Sequence, residues 1–397
     1  MLAKKSVKNI EVTGKTVLLR VDFNVPFKPN TTEIADDSRI RASLPTIQYL
    51  LAMNCRIVVC SHLGRPNGDI VENLRMAPVA TRLSKLLNSG VTTVTDCIGP
   101  EVEAAVTSLP PRGILLLENL RFHPGEESND PEFSEGLSKL GQIFVNDAFG
   151  VAHRAHASTV GLMCHLPGVA GLLMATEMDN LDHTLSNPKR PFAAILGGAK
   201  VSDKLAALSN LAKIVDKLIV GGGMAATFLK AKGYDVGESQ VEEEMVSSAC
   251  DIINRSQHQG LNLLLPTDVI VAKDFDEHSI PLVTDVACIP KNTRIMDIGP
   301  KTIGSFTSVL VSAHTILWNG PMGVFEWPSF SQGTKAIALA IADMSNTISV
   351  LGGGSTAEVV MGLGLQDKMT HISTGGGASL EFMEGKNLPG IDALLNK

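Results

Sequence analysis

Short apolar runs rich in β-branched residues recur along the chain, each followed by a turn and then by a stretch with helical periodicity. Because strands that alternate with helices build βαβ units, this pattern predicts an α/β protein with parallel sheets. The predicted strands are Val17–Val21, Arg56–Cys60, Ile114–Leu117, Ile143–Val145, Phe192–Leu196, Lys217–Val220, Asn262–Leu265, Thr315–Leu317 and Thr347–Leu351.

Polar and charged side chains come directly after the first four predicted strands. Ligands of parallel sheets bind beyond the carboxyl ends of the strands, so these positions are the candidates for chemistry. They are Asp22 and Asn24 after the first strand, Ser61, His62 and Arg65 after the second, residues 118–123 after the third, and residues 146–154 after the fourth.

The length of 397 residues predicts two domains, because one hydrophobic core rarely grows beyond about 250–300 residues. The pattern breaks near Gly161–Gly171 and again at Asn187–Pro191, and Ala170–Ser186 between them reads as one amphipathic helix. From the pattern alone, a hinge between domains and an ordinary crossover helix explain this segment equally well.

Composition excludes several classes of protein. With 44% hydrophobic and 19% charged residues the chain is globular rather than disordered. It contains no uninterrupted apolar stretch of membrane-spanning length, and the lysine-bearing segment Met1–Asn9 leads into no apolar segment, so we expect a soluble cytoplasmic protein. The six cysteines are far apart without a Cys-x-x-Cys pair, which predicts buried free thiols rather than disulfides or a zinc site.

The net charge of −7 argues against nucleic-acid or membrane partners. Residues 1–168 carry ten arginines and seven lysines, whereas residues 169–397 carry three arginines and fourteen lysines. Arginine binds carboxylates and phosphates through a planar fork and lysine acts as a point charge, so the two halves are suited to different anions. Solvated surface arginines are the alternative interpretation for any single one of them.

Four glycine clusters in the second half follow predicted strands and precede predicted helices. Backbone N–H groups and the helix dipole favour phosphate at such turns. Lys200 and Lys204 are four residues apart, which predicts that both lie on one face of the helix after the first cluster, where an anion would separate the two charges. A solvated lysine pair is the alternative. The clusters are Gly197-Gly198-Ala199-Lys200, Gly221-Gly222-Gly223, Gly352-Gly353-Gly354-Ser355-Thr356 and Ser373-Thr374-Gly375-Gly376-Gly377.

Common nucleotide motifs are missing from the chain. Gly14-Lys15-Thr16 has Asn9 where a Walker A motif needs its first glycine, and Gly362-Leu363-Gly364 has Asp367 where a dinucleotide fingerprint needs its third. The missing fingerprint counts against a nicotinamide dehydrogenase.

Several ordered segments closely resemble the phosphoglycerate kinase family from about Val7 to Leu395. They are Arg20-Val-Asp-Phe-Asn-Val-Pro26, Ser61-His-Leu-Gly-Arg-Pro66, Glu118-Asn-Leu-Arg-Phe-His123, Asn146-Asp-Ala-Phe-Gly150, Ala152-His-Arg-Ala-His156, Leu196-Gly-Gly-Ala-Lys200 with Asp203-Lys204, Gly221-Gly-Gly-Met224, Trp318-Asn-Gly-Pro321 with Gly323-Val-Phe-Glu-Trp327, and Ser373-Thr-Gly-Gly-Gly-Ala378.

This resemblance implies two doubly wound parallel-sheet domains that face a cleft and are joined by a hinge helix. Residues 1–169 would bind phosphoglycerate, 170–187 would form the interdomain helix, 188–377 would bind the nucleotide, and 378–397 would pack back on the first domain. The implied enzyme is a monomer that transfers a phosphoryl group reversibly between 1,3-bisphosphoglycerate and MgADP, giving 3-phosphoglycerate and MgATP, in glycolysis and gluconeogenesis. Domain closure would exclude water from the acyl phosphate.

The resemblance also implies roles for individual residues. Phosphoglycerate would be held by Asp22, Asn24, Arg39, His62, Arg65, Arg121 and Arg154. Catalysis would involve Arg39, Lys200, Gly353 and Gly376. The nucleotide would be bound by Lys204, Gly221, Gly222, Asn319, Glu326, Gly353, Gly354, Ser355 and Thr356.

Ser355 departs from the family pattern, which usually has an aspartate after the three glycines. That aspartate would hold the Mg²⁺ carried with ADP or ATP, and a hydroxyl is a weaker, neutral ligand for a hard cation. The metal site is therefore uncertain, and we predict weakened metal dependence rather than loss of activity. Ser355 is also the one residue that favours a binding protein without turnover, whereas Arg39, Lys200, Lys204 and Glu326 favour an enzyme.

Overall fold

The computed structural model describes residues 3–397, apart from the side chain of residue 259. Contacts divide the chain into two compact units. The first unit contains the chain up to Asp179 together with Asn387–Lys397, and the second unit is Asn180–Lys386.

The first unit is built on six parallel strands in the order β3-β4-β2-β1-β5-β6. The strands are β1 (Thr16–Arg20), β2 (Arg56–Cys60), β3 (Thr92–Thr93), β4 (Ile114–Leu116), β5 (Ile143–Asn146) and β6 (Gly168–Ala170). The helices are α1 (Ser38–Ala52), α2 (Ala77–Leu87), α3 (Pro100–Thr107), α4 (Pro124–Glu127), α5 (Pro131–Ser138) and α6 (Leu172–Ser186), which continues into the second unit.

Both faces of this sheet are buried, which explains why its strands are continuous apolar runs. Val17 and Leu19 pack in the core on one face, and Leu18 packs in the core on the other. Strand β1 lies inside the sheet. The next strands along the chain, β2 to β4, lie on one side of β1, and β5 and β6 lie on its other side. The sheet is therefore doubly wound, with its topological switch point between β1 and β5.

The second unit has a second doubly wound sheet of six parallel strands and a small antiparallel sheet. The parallel order is β15-β14-β13-β7-β8-β9, with its switch point between β7 and β13, and the antiparallel order is β11-β10-β12. The strands are β7 (Phe192–Leu196), β8 (Lys217–Val220), β9 (Asn262–Leu264), β10 (Asp268–Ala272), β11 (Leu282–Asp285), β12 (Arg294–Ile298), β13 (Thr315–Asn319), β14 (Ile348–Gly352) and β15 (His371–Ile372). The helices are α7 (Leu205–Leu211), α8 (Met224–Ala231), α9 (Val246–Gln259), α10 (Pro300–Leu310), α11 (Gln332–Ala342), α12 (Gly354–Gly362) and α13 (Gly376–Met383).

The first turn of α6 is held by two side chains of the first unit. Thr46 Oγ1, from α1, accepts a hydrogen bond from Leu172 N at 2.9 Å, and Asp147 Oδ1, just after β5, accepts one from Met174 N at 3.1 Å. These contacts satisfy N–H groups that a helix leaves without partners at its start.

The end of the chain, Asn387–Lys397 with the short helix α14 (Pro389–Asp392), packs in the first unit. Lys5 N donates to Leu395 O, and Lys397 N donates to Ala3 O, both at 2.7 Å. Residues 376–386 belong to the second unit, where Asn210 Nδ2 donates to Met383 O at 2.8 Å.

The nine predicted strands are confirmed, with bounds within two residues of those observed. The expectation that all six cysteines are buried is wrong, because Cys164 and Cys288 are exposed, although all six thiols are free. Among the described residues no helix is both long and apolar enough to cross a membrane.

Candidate functional site

The polar groups predicted in the first unit meet beyond the carboxyl ends of β1 and β2. Arg39 Nη1, from the first turn of α1, donates to Asp22 Oδ2 at 2.7 Å. Asp22 Oδ1 also lies 3.9 Å from His62 Nδ1 and accepts a hydrogen bond from Asn24 N. We call this set, with Arg65, Arg121 and Arg154, the arginine cluster.

Gly64 links two further members of the cluster. Its N–H donates to Asn24 Oδ1 at 2.9 Å, and its carbonyl accepts from Arg121 Nη1 at 2.7 Å. Arg121 is buried and also lies 3.0 Å from Glu127 through its Nε. Arg65, the next residue after Gly64, is exposed. The loop after β2 therefore fixes a buried arginine beside an exposed one.

Several positive charges meet at Arg121. Burial, partly offset by Glu127, lowers the pKa of Arg121, and the charge of Arg154 lowers it further. This effect shows that the half-buried Arg154, which follows β5, lies near enough to act on Arg121. The structure thus brings together residues that follow β1, β2, β4 and β5, as the pattern predicts.

Behind the cluster lies a buried polar network that the sequence did not reveal. Arg20, the last residue of β1, donates from Nε to Ser158 Oγ at 2.8 Å, and its Nη2 lies 3.2 Å from His62 Nδ1. Ser158 Oγ in turn donates to Glu126 Oε1 at 2.6 Å. Burial would raise the pKa of Glu126, but His156, whose Nδ1 lies 3.7 Å from Oε1, the charge of Arg20 and the hydrogen bond from Ser158 lower it.

In the second unit, Lys204 lies at the switch point between β7 and β13. Its Nζ donates to Gly197 O at 2.6 Å, to Asn319 O at 2.9 Å and to Asn319 Oδ1 at 2.6 Å. Burial, only partly offset by Asp203, lowers the pKa of Lys204 to about 8. A half-buried cation at this place is suited to an anionic ligand.

The expectation that Lys200 and Lys204 share one helix face is wrong. Lys200 is exposed in an open loop, and Lys204 ends a short 3₁₀ turn, Ser202–Lys204, before α7 begins. A spacing of four residues matches one turn only where the chain is already helical. Glu242, which the sequence analysis did not single out, holds this loop by accepting a hydrogen bond from Ser202 N at 3.1 Å.

Gly222 packs tightly against two neighbouring turns. Its φ is +68°, and a Cβ there would lie 2.6 Å from Gly198 N and 2.7 Å from Pro321 O. Gly221 N donates to Leu196 O at 2.9 Å, so the ends of β7 and β8 are hydrogen bonded beside it. Only glycine, which has no Cβ, fits at position 222.

The other glycine turns meet around Asn319. A Cβ at Gly353, whose φ is +89°, would lie 3.5 Å from Asn319 Oδ1, and one at Gly376 would lie 4.0 Å from Gly354 N. The helices α12 and α13 begin at Gly354 and Gly376, and α8 begins directly after Gly223. The prediction that these three glycine clusters precede helices is confirmed. The starts of α12 and α13 thus lie close together beside Asn319, and the start of a helix favours an anion.

The turn at Ser355 does not fit a magnesium ion held by the protein. Ser355 is an exposed neutral hydroxyl, and Thr356 is buried with its Oγ1 accepting a hydrogen bond from Gly320 N at 2.7 Å. Magnesium prefers charged oxygen ligands, and neither residue supplies one. We therefore assign the Mg²⁺ to the nucleotide substrate rather than to a site of the protein.

Glu326 lies in the loop that follows β13 and is exposed. The same loop carries Trp327, whose ring packs on Phe275 with 4.7 Å between the ring centroids. The fold thus places an exposed carboxylate on a loop anchored by aromatic contacts.

Each unit carries one polar site at the switch point of a doubly wound sheet. One site is rich in arginine, and the other combines a half-buried lysine with glycine turns at helix starts. Neither site needs an activated nucleophile, and together they define a small-molecule phosphotransferase. The model of the family described as phosphoglycerate kinase matches residues 7–386. The chain belongs to the phosphoglycerate kinase family, and it is a kinase that uses a carboxyl group as phosphoryl acceptor in glycolysis.

Similar proteins span the whole chain. Curated phosphoglycerate kinases from Moorella thermoacetica and Dictyoglomus turgidum are each 50% identical, over 396 and 399 residues and the full length of both chains. The solved phosphoglycerate kinases of Coxiella burnetii and Pyrococcus horikoshii cover 98% of both chains. Their identities are 41% and 34%, and their TM-scores are 0.88 and 0.87. Members of the family use nucleotide substrates, which pair with Mg²⁺.

Proposed function

We propose that the chain transfers a phosphoryl group reversibly between 1,3-bisphosphoglycerate and MgADP, giving 3-phosphoglycerate and MgATP. The proposal assigns the acid to the first unit and the nucleotide to the second. The observation that carries it is the placement of Lys204 between Gly197 and Asn319, at the switch point where a doubly wound sheet binds its ligand.

The arginine cluster would hold the acid. Phosphoglycerate carries a phosphate and a carboxylate, and forked guanidinium groups bind both through paired hydrogen bonds. Arg65 is exposed and Arg154 is half-buried, whereas Arg39, also half-buried, is oriented by Asp22. We assign to Asn24 and His62 neutral hydrogen bonds to the acid, and to Arg39 the additional stabilisation of the transferring group.

The second unit would hold the nucleotide. We assign the nucleotide phosphates to Lys204, Asn319 and the helix start at Gly354–Thr356, the adenine to Gly221 and Gly222, and the ribose hydroxyls to Glu326. Lys200 is exposed, and no hydrogen bond or ion pair of its side chain is found within the described part of the chain, so it is free to follow the transferring group. The N–H groups at Gly353 and Gly376 would stabilise the charge that develops on its oxygens.

The chemistry needs no general acid or base. An oxygen of the terminal phosphate of ADP forms the new P–O bond while the acyl phosphate P–O bond breaks, and the leaving group is a carboxylate that needs no proton. Positioning and charge stabilisation therefore supply the catalysis. Water has to be kept out because an acyl phosphate hydrolyses. We propose α6 as the hinge of a closure that excludes it, and identical small-angle scattering with and without both substrates would contradict this closure.

The first test is ATP formation from 1,3-bisphosphoglycerate and ADP across a magnesium titration. Wild type, Lys200→Ala and the exposed control Lys213→Ala are compared side by side. We expect turnover in wild type and in the control, and its collapse in Lys200→Ala because the guiding charge is lost. Absence of turnover in wild type at every magnesium concentration, with both substrates still binding, would favour the binding protein instead.

We also propose that the protein acts as a monomer in the cytoplasm. Each of its two proposed sites is completed by residues of one chain, and glycolytic enzymes work where their substrates are made. Light scattering coupled to size-exclusion chromatography tests the first point: a mass near 42.1 kDa is expected, and twice that mass would overturn it.

A further inference from the structure

We infer that Arg20 is a positioning residue that fixes His62 in the tautomer with its proton on Nε2, so that the ring offers a neutral hydrogen-bond donor to the acid substrate. The inference rests on the proposed function in one respect, the assignment of His62 to the phosphoglycerate site. The tautomer itself follows from the contacts of Arg20.

The guanidinium of Arg20 is held by three different acceptors. It is 1% exposed, its Nε donates to Ser158 Oγ at 2.8 Å, its Nη1 donates to the carbonyl of Val21, and its Nη2 faces His62 Nδ1 at 3.2 Å. Each of its three nitrogens therefore has a partner in a different direction. This arrangement leaves the guanidinium one orientation.

The tautomer follows from the chemistry of the two groups. An arginine side chain carries only donors, so the nitrogen that faces it, His62 Nδ1, has to accept. A neutral imidazole has one ring hydrogen, which then resides on Nε2. Asp22 Oδ1 is 3.9 Å from Nδ1, too far for a hydrogen bond that would favour the other tautomer. No hydrogen bond to Nε2 is found among the described residues, so its N–H is left for a ligand.

The charged groups around the ring keep it neutral. Burial, and then the charges of Arg20, Arg121 and Arg39, hold the pKa of His62 well below its usual value, and His156 acts in the same direction. Asp22 is the one carboxylate close to the ring, and Glu126 lies behind Arg20. The arginines therefore supply the positive charge of the cluster, whereas His62 supplies a directed neutral donor.

Ser158 and Glu126 hold Arg20 in turn. Ser158 accepts from Arg20 and donates to Glu126, and a second oxygen of Glu126 accepts from Ser158 N at 3.0 Å. The chain of contacts thus runs from a buried carboxylate through a hydroxyl and a guanidinium to the imidazole. A change at Ser158 loosens Arg20 without removing its charge.

The direct test is nitrogen NMR of the wild-type protein labelled with ¹⁵N-histidine. The signals of His62 are assigned by their loss in His62→Gln. We expect an unprotonated Nδ1 and a protonated Nε2 that stay unchanged from pH 6 to pH 8. A proton on Nδ1, or averaging between the two tautomers, would overturn the inference without reference to any variant.

Two variants and a control connect the tautomer to the reaction. Arg20→Lys keeps the charge but cannot serve three acceptors, and Ser158→Ala removes one restraint on Arg20. Arg56→Lys is the matched control, because Arg56 starts β2 at the opposite end of the sheet and donates to Leu109 O at 2.9 Å. In both variants we expect averaged His62 signals and about a tenfold higher KM for 3-phosphoglycerate, with the KM for the nucleotide unchanged. Equal losses for both substrates with an unaltered tautomer would reduce Arg20 to a structural role.

Failure of the inference and failure of the proposed function are distinguishable. If His62→Gln binds 3-phosphoglycerate like wild type while the NMR shows the expected tautomer, the assignment of His62 to the acid site is wrong and the role of Arg20 toward the ring stands. If His62→Gln loses binding and the NMR shows the proton on Nδ1, the assignment of His62 to the acid site stands and the inferred role of Arg20 toward the ring is wrong.

Discussion

At the scale of the residue, one wholly or partly buried charge sets the chemistry of each unit. Lys204 donates hydrogen bonds to three oxygen acceptors in place of water, and Arg20 donates to two oxygens and to the imidazole of His62. Burial makes a charge sensitive to its partners, because desolvation disfavours the ionised form unless hydrogen bonds or a bound ion compensate. The sites therefore respond to pH and to ligand charge in ways that can be measured.

Nucleotide binding should take up a proton at Lys204 above pH 8. The free lysine, with a pKa of about 8, is mostly neutral at pH 9, and the phosphates of ADP favour its charged form. Calorimetric titrations of ADP at pH 9 in buffers of different ionisation enthalpy measure this uptake. Lys204→Arg stays charged throughout, so its binding heat should not depend on the buffer. A buffer-independent heat for wild type would contradict the prediction.

Ser355→Asp should lower the magnesium concentration needed for half-maximal turnover, by about tenfold. The substitution adds a charged oxygen ligand at a turn that now offers an exposed hydroxyl. Ser355→Asn, of similar size but neutral, is the control and should change the magnesium dependence little. Unchanged dependence in Ser355→Asp would mean that this turn does not approach the metal of the bound nucleotide.

At the scale of the element, the turns after the strands are more demanding than the strands themselves. Strand β8 is apolar and buried after its first residue, Lys217, whereas the turn that follows it brings Gly222 into contact with the backbone of two other turns. Helix α6 similarly depends on Asp147 and Thr46 to complete its first turn.

Gly222→Ala should destabilise the second unit and weaken nucleotide binding by more than tenfold. Its Cβ would meet Gly198 N at 2.6 Å, and backbone atoms on both sides leave no flexible group to yield. Gly260→Ala is the matched control: its φ of +71° is equally left-handed, and no atom lies within 4 Å of the added Cβ. The control should cost only about 1 kcal/mol in the free energy of unfolding. Thermal unfolding and ADP titration measure both effects, and equal results for the two variants would contradict the close contact.

Asp147 should make the stability of the first unit depend on pH between about 4 and 6. Burial raises the pKa of Asp147 to about 6, whereas the unfolded chain has the usual value of 3.8, so the folded state holds the proton more tightly in this range. Stability therefore falls as the pH rises through this window, by on the order of 3 kcal/mol.

Asp147→Asn isolates this effect. The amide keeps an acceptor for Met174 N, and its nitrogen takes the place of Oδ2, which has no hydrogen-bond partner. The difference in unfolding free energy between wild type and Asp147→Asn should change from pH 4 to pH 6 and stay constant above pH 7. Asp147→Ala, which leaves Met174 N without its acceptor, should be less stable at every pH. A pH-independent difference for Asp147→Asn would refute the titration.

Most of the strands that the sequence revealed are buried, although β9 is partly exposed and the fully buried β10 was not predicted. Strand β2, for example, is recognisable because every residue after Arg56 is buried, which makes a continuous apolar run. The sequence does not predict strand β11, because its residues are mostly exposed. It does not predict β3 and β15 either, because a strand of two residues is too short to show a hydrophobic pattern. The small antiparallel sheet thus escaped prediction, while both parallel sheets did not.

The same physics limits what the sequence tells about the site. Asp22 and His62 could be found because they follow strands. Arg20 and Ser158 could not, because they are 138 residues apart and meet only through the folding of β1 and β5. The prediction that Lys200 and Lys204 lie on one helix face is wrong because their spacing was interpreted as helical where the chain forms an open loop.

At the scale of the whole molecule, the first unit is made from both ends of the chain. Leu388, Ile391 and Leu394 are buried in it, and Leu395 N donates to Gly168 O at 2.9 Å beside strand β6. Stability of the first unit therefore depends on residues that are far from the rest of that unit in the sequence.

Deletion of residues 387–397 should destabilise the first unit and leave the second intact. Loss of three buried apolar side chains removes on the order of 5 kcal/mol of burial. Hydrogen exchange measures the result: amides around Gly168–Ala170 should lose protection, whereas those of β13 should not. Ile391→Ala, a milder change, should show the same pattern at a cost of about 2–5 kcal/mol. Equal loss of protection in both units would contradict the division.

The contact between the two ends of the chain has a consequence for how the protein can be rebuilt. Lys397 N donates to Ala3 O, and Lys4 pairs with Asn396, so a short linker could connect residue 397 to residue 3 without disturbing the fold. A circular permutant linked in this way and opened at the exposed turn Ser89–Gly90 would keep every strand neighbour of all three sheets.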